Sequence, residues 1–271
     1  QEDFGTMAKT GFIGTGNMGY AILKGLLKIY SQDELMITDA NKDKRKQVSQ
    51  ETGVAAAEDN ETLAKSVKYI VLAVKPQYYG AVLKDIAPVV TKEQVIISIA
   101  PGITIDDLKR ELGDDKRIVR AMPNTPALIG EGMTGVCYDR QLFTEEEEKE
   151  IHTFFSSFGK MRIVEERLIN AVVCVSGSSP AYVYMFIEAL ADSAVKYGLP
   201  RDTAYEMAAQ AVVGSAKMVL ETGKHPGELK DAVCSPGGTT IAAVSALEEA
   251  GFRSAVIKAA DACFEKCNSL K

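Results

Sequence analysis

The sequence predicts an α/β protein in two parts: a doubly wound, mostly parallel sheet followed by an all-helical region. Three observations carry this. Short β-like runs alternate with amphipathic helical runs from Lys9 to about Val164. A glycine-rich turn joins the first strand to the first helix. After Val164 the β pattern stops, and long apolar runs with helical spacing take over.

The elements follow in order. KTGFIGTG reads as a strand and NMGYAILKGLL as the helix behind it. ELMITD is the second strand, followed by the charged helix KDKRKQVSQET and the short strand GVAAAED. YIVLAV and VIISIA are continuous apolar runs, as expected of strands covered on both faces. RIVRAMP, TGVCYD and MRIVEE complete the strands, with the helix TEEEEKEIHTFFSSFG before the last. The run LINAVVCVSGSSPAYVYMFIEALADSAVKYG is long and helix-periodic, and SGSSPAY within it reads as a helix start, with Pro180 in the first turn. A helix from Pro200 to Gly223, a short helix in HPGELKDAVC and two closing helices follow. The expected division is a dinucleotide-binding domain over 7–166 and a helical dimerisation and substrate domain over 167–271. Gln1–Thr6 precede Met7 and read as the remnant of an expression tag.

The 271 residues, 46% apolar and 25% charged, suit a globular protein with a sizeable core. The net charge of −6 argues against nucleic acid as a partner, while leaving room for a small anion held by backbone dipoles. No uninterrupted apolar run reaches membrane-spanning length and no signal pattern is seen, so no membrane partner is expected. The five cysteines lack metal-ligand spacing and are expected to be reduced, which fits a cytoplasmic protein; no metal is expected.

Gly14, Gly16 and Gly19 form a G-x-G-x-x-G between strand and helix, the setting of a dinucleotide site. Asp39 ends the second strand, where a carboxylate accepts from the adenine ribose and repels a 2′-phosphate. Lys42, Lys44 and Arg45 follow at once, so the charge pattern is compatible with NADH and with NADPH. Three proline-bearing loops, AVKPQ, IAPG and MPNTP, stand at the carboxyl ends of the fourth, fifth and sixth strands, placed to wall in a nicotinamide. Neither histidine, His152 or His225, lies near a motif that would make it an acid or base. CSPGGTTIAAVSALEEAGF sets two glycines and two threonines at a helix mouth, more than capping requires.

GFIGTGNMG, AVKPQ, SIAPGI, AMPNTPA, SGSSPAY and above all SPGGTTIAAVSALEEAGFR resemble the pyrroline-5-carboxylate reductase family from Met7 to the end of the chain. The resemblance implies reduction of the cyclic imine 1-pyrroline-5-carboxylate to L-proline with NADPH or NADH, the last step of proline synthesis. It also implies a homodimer interlocked through the helical domain, or a ring of such dimers. By this resemblance Gly14, Gly16, Asn17 and Met18 meet the pyrophosphate, with Thr15 and Asp39 also cofactor-binding. Asn60 meets the adenosine side, and Val74, Lys75, Pro76, Ala100, Pro101 and Gly102 surround the nicotinamide end. Ser235, Gly237, Gly238, Thr239 and Thr240 hold the substrate, with Thr240 catalytic through its hydroxyl on the ring nitrogen. The sequence departs from the family pattern at Pro101, where Ala is frequent, and at Asp39-Ala40, so strict NADPH preference does not follow. The alternatives are a related imine reductase and a β-hydroxyacid dehydrogenase; against the latter, residues 176–195 lack the lysine that class uses.

Overall fold

The computed structural model describes residues 8–269; the expected tag remnant Gln1–Thr6 lies outside the described residues. Contacts divide the chain into two compact units. Among the described residues, one holds 8–178 together with 263–269, and the other holds Ser179–Ala262.

The first unit is built on eight strands: β1 Ala8–Ile13, β2 Leu35–Thr38, β3 Ala55–Ala56, β4 Val67–Leu72, β5 Val95–Ser98, β6 Arg117–Met122, β7 Gly132–Cys137 and β8 Gly159–Ile163. Their order across the sheet is β3-β2-β1-β4-β5-β6-β7-β8. All pairs are parallel except β6–β7, which is antiparallel because only a short loop joins them. The helices are α1 Asn17–Leu26, α2 Lys42–Thr52, α3 Asn60–Ser66, α4 Tyr79–Ile86, α5 Ile105–Leu112 and α6 Glu145–Ser156. The order of the strands reverses between the parallel neighbours β1 and β4, which places a crevice at their carboxyl ends.

The continuous apolar strands bury both faces. One core joins Phe12, Ile37, Val71, Ile97 and Val119 to the aromatic group Phe154, Phe155 and Phe158. The other joins Ile13, Ile70, Leu72 and Ile96 to α3, α4 and α5. Each large aliphatic side chain so buried contributes about 1.5–3 kcal/mol. Local signals set the helix limits. Asn41 Oδ1 accepts from the Lys44 N–H at the start of α2, and Gly53 ends that helix with φ +73°. Thr144 and Glu147 cap α6 reciprocally.

The helical run after β8 is continuous but not regular. α7 Ile169–Val172 passes into a π turn at Val173–Gly177 and then into α8 Ser179–Lys196. Pro180 is the second residue of α8, in the first turn as the sequence reading has it, but α7 and the π turn already precede that start. The 31-residue stretch Glu166–Lys196 is also long and apolar enough, by length and composition, to cross a membrane. This corrects the expectation that no run reaches that length: its few charged side chains are spaced so that an 18-residue window keeps a mean hydropathy of 1.3. The second unit continues with α9 Arg201–Thr222, α10 Pro226–Val233 and α11 Thr239–Glu249, and α12 Phe252–Asn268 closes the chain.

Candidate active site

In the sheet unit most candidate cofactor residues lie just past the carboxyl ends of the interior strands β1, β2, β4 and β5. Gly14, Thr15, Gly16, Asn17 and Met18 form the turn from β1 into α1, while Val74, Lys75 and Pro76 follow β4 next to it. The three glycines have different physical duties. Gly14 has φ +97°, and a Cβ there would lie 2.7 Å from the Ala73 carbonyl oxygen. A Cβ on Gly19 would lie 2.6 Å from the Gly14 carbonyl oxygen, so helix and strand could not approach. At Gly16 a Cβ would meet nothing within 4 Å. The open space over Gly16, at the N-terminus of a helix with no acidic residue in its first turn, is a cradle that suits a pyrophosphate.

Asp39 stands directly after β2, and its carboxylate is turned to the glycine loop. Oδ2 accepts from the Thr15 N–H and hydroxyl, both at 2.8 Å, and Oδ1 accepts from the Asn41 N–H at 2.9 Å. Burial pushes the Asp39 pKa up, but the hydrogen bonds from Asn41 and Thr15 and the charge of Lys44 outweigh it and hold the carboxyl below its ordinary value. A depression of about 210 Å³ opens beside this loop, with Thr15, Gly16, Asn17, Tyr20, Lys44 and Glu51 in its wall. Lys44 faces this depression, whereas Arg45 donates to the Glu58 carbonyl. Asn60 opens α3 and donates through Nδ2 to Asp85 Oδ2 at 2.9 Å.

Ala100, Pro101 and Gly102 follow β5; Ala100 is buried and Gly102 has φ +79°. The loop they form runs into α5, whose first N–H, from Ile105, donates to Glu166 Oε1 at 2.8 Å. The same oxygen accepts from the buried Arg120 at 2.9 Å, so one carboxylate ties that loop to β6. Sequence reasoning found no role for Glu166, because its partners are 46 and 61 residues away.

In the helical unit the candidate substrate residues form the mouth of α11. The Gly238 N–H donates to the Ser235 carbonyl at 3.0 Å, with Pro236 and Gly237 between them and Gly237 at φ +68°. Pro at the second position and positive φ at the third are the signature of a type II turn. Gly238 is glycine for a different reason: a Cβ there would lie 2.4 Å from Ser235 Oγ. Gly238 is the N-cap, and no side chain caps the helix. The N–H groups of Thr239, Thr240 and Ile241 thus have no intrahelical acceptor. The half-buried Thr240 hydroxyl has no hydrogen-bond partner among the described residues. His225 Nδ1 accepts from the Gly227 N–H as the cap of α10, a structural duty, and His152 is exposed.

The glycine-cradled turn at the carboxyl end of the parallel sheet suits a dinucleotide, and the uncapped mouth of α11 in the helical unit suits a small anion. Comparison with known proteins agrees. A family described as NADP oxidoreductase, coenzyme F420-dependent, matches residues 9–102, and the pyrroline-5-carboxylate reductase dimerisation family matches residues 166–270. The chain is 51% identical over 264 residues to the pyrroline-5-carboxylate reductase of Escherichia coli K12, covering 97% of this chain and 98% of that one. The solved pyrroline-5-carboxylate reductase of Coxiella burnetii superposes with a TM-score of 0.90 at 34% identity, covering 98% of this chain and 99% of that one. The Plasmodium falciparum pyrroline carboxylate reductase, solved with NADP bound, gives 0.86 at 34% identity and covers 97% of each chain. The chain belongs to the pyrroline-5-carboxylate reductase family.

Proposed function

We infer that this protein reduces 1-pyrroline-5-carboxylate to L-proline with NADPH or NADH, as the last step of proline biosynthesis in the cytoplasm. The observation that carries the reading is the open mouth of α11, in a chain of this family. The substrate is a small ring with one carboxylate and one imine nitrogen. Free N–H groups at Thr239, Thr240 and Ile241 and the partial positive charge of the helix end suit the carboxylate. The Gly237–Gly238 backbone lets it approach without side chains in the way, and Ser235 stands at the entrance of the turn. Thr240, the second residue of α11, places its hydroxyl for a hydrogen bond to the ring nitrogen.

The coenzyme, when bound, supplies the hydride. The protein's own part is to hold it: Gly14, Thr15, Gly16, Asn17 and Met18 at the pyrophosphate, Asp39 and Asn60 on the adenosine side, and Val74, Lys75, Pro76, Ala100, Pro101 and Gly102 at the nicotinamide end. A cyclic imine is readily protonated near neutral pH, so orientation supplies most of the rate and no histidine is needed. The functional division we propose is cofactor binding by 7–166 and substrate binding with dimerisation by 167–271. Both coenzymes serve within about a hundredfold in kcat/KM, since Lys44 offsets the charge of Asp39.

The test is loss of NAD(P)H absorbance on addition of the pyrroline substrate, with a six-membered cyclic imine and a 3-hydroxyacid with NAD(P)+ as competitors. Turnover confined to the five-membered imine is expected. Turnover of the hydroxyacid, or none with the imine, would overturn the reading.

A further inference from the structure

In a helix each carbonyl accepts from the N–H four residues on. For Ser176 that residue is Pro180, which has no N–H to give. The donor comes from elsewhere in the sequence. Asn124, in the loop after β6, donates through Nδ2 to the Ser176 carbonyl at 3.0 Å. Its Oδ1 accepts from the Met133 N–H at 2.8 Å, which closes the loop from Asn124 to Met133. Asn124 is 8% exposed, so both bonds are largely shielded from bulk water, where an unmade one costs most. Ser176 lies in the π turn Val173–Gly177, and such turns concentrate at functional sites. Two stretches singled out in the sequence, MPNTP and SGSSP, are therefore joined by one amide.

We propose that Asn124 is a positioning residue for the reduction. It replaces the amide proton that Pro180 lacks and fixes the π turn, through Ser176, against the loop after β6. Resting on the function proposed above, this makes Asn124 the residue that holds the π turn in place within the sheet unit. Its effect falls on turnover of the imine and leaves coenzyme affinity alone.

Asn124→Asp isolates the donor: it keeps an oxygen for the Met133 N–H and loses the N–H for Ser176. Its kcat/KM for the imine should fall by roughly ten- to a hundredfold, while the dissociation constant for NADPH, read by fluorescence, stays within about threefold. Pro180→Ala restores a backbone N–H at the correct spacing, so Asn124→Asp/Pro180→Ala should recover most of the lost kcat/KM and of the lost melting temperature. Native kcat/KM in Asn124→Asp, or a double variant no better than the single, would overturn the proposal. If Asn124→Asp does not fold, the double variant decides: folded and active supports the exchange, unfolded or inactive refutes it. A wild type without imine turnover would refute the functional reading and the catalytic side of this proposal. The melting temperatures of single and double variants would still test the hydrogen-bond exchange without any substrate.

Discussion

In the sheet unit Phe12, Ile70, Leu72, Phe155 and Phe158 are wholly buried; in residues 179–262 the buried apolar side chains are Ala191, Ala204 and Ala208. The large apolar side chains of the helical unit are on its surface, with Met185 71% and Leu220 64% exposed. A groove of about 700 Å³ runs between its helices, with Tyr182, Val183, Phe186, Leu190, Phe252 and Val256 among its lining. Three alanines cannot offset the entropy of ordering α8, α9, α10, α11 and most of α12. The helical unit thus lacks a core of its own, and the match to the dimerisation family over 166–270 supports the homodimer proposed above as what covers its apolar faces. The difference extends to polar groups. Side chains among the candidate cofactor residues are already paired within the chain, as Thr15 with Asp39 and Asn60 with Asp85, whereas Thr240 at the α11 mouth is not.

The largest effects should separate the two cores. Phe186→Asp places a charge on the face assigned to the second copy, and burying it unpaired costs several kcal/mol. The expected result is loss of assembly, with a sedimenting mass falling to the single-chain 29.2 kDa. Ile70→Ala should cost about 2–5 kcal/mol of stability while leaving the assembled mass unchanged. If Phe186→Asp assembles and melts like the wild type, the helical face is not the contact and the comparison fails.

Next comes Thr240. If its hydroxyl orients the imine, Thr240→Ala should lower kcat/KM by roughly ten- to a thousandfold, about 1.4–4 kcal/mol. Thr240→Ser should keep most activity, and NAD(P)H affinity should hardly change. Near-native kinetics in Thr240→Ala would leave binding to the Gly237–Thr239 backbone alone.

Asp39 should give the smallest effect. Its carboxyl is held below the ordinary aspartate range, so the stability it lends is present above that range and lost as pH falls through the lowered value. Asp39→Asn should thus melt lower than the wild type at neutral pH, by about 1 kcal/mol, with the gap closing in acid. Asp39→Ser should shift preference toward NADPH while weakening both coenzymes, because Thr15 loses its anchor. An unchanged coenzyme ratio would remove Asp39 from the ribose.

Much of the fold was legible because each strand and helix carries its own period. Helix α2, with Asn41 before it and Gly53 after it, can be read directly. The π turn could not, since one extra residue in a helical turn leaves an apolar run looking periodic. The SPGGTT turn was legible because a type II turn demands its residue types locally. The bonds from Thr15 to Asp39 and from Asn124 to Ser176 span 24 and 52 residues, and no local pattern reports them. Pro180 was a signal for the second, because a missing N–H inside a helix asks for a donor from elsewhere.

The central claim is that the helical unit is completed by a second chain. The direct measurement is sedimentation equilibrium with thermal unfolding across a range of protein concentrations. A mass of at least twice 29.2 kDa at micromolar concentration is expected, with a melting temperature that rises with concentration. A mass of 29.2 kDa and a melting temperature independent of concentration would contradict it.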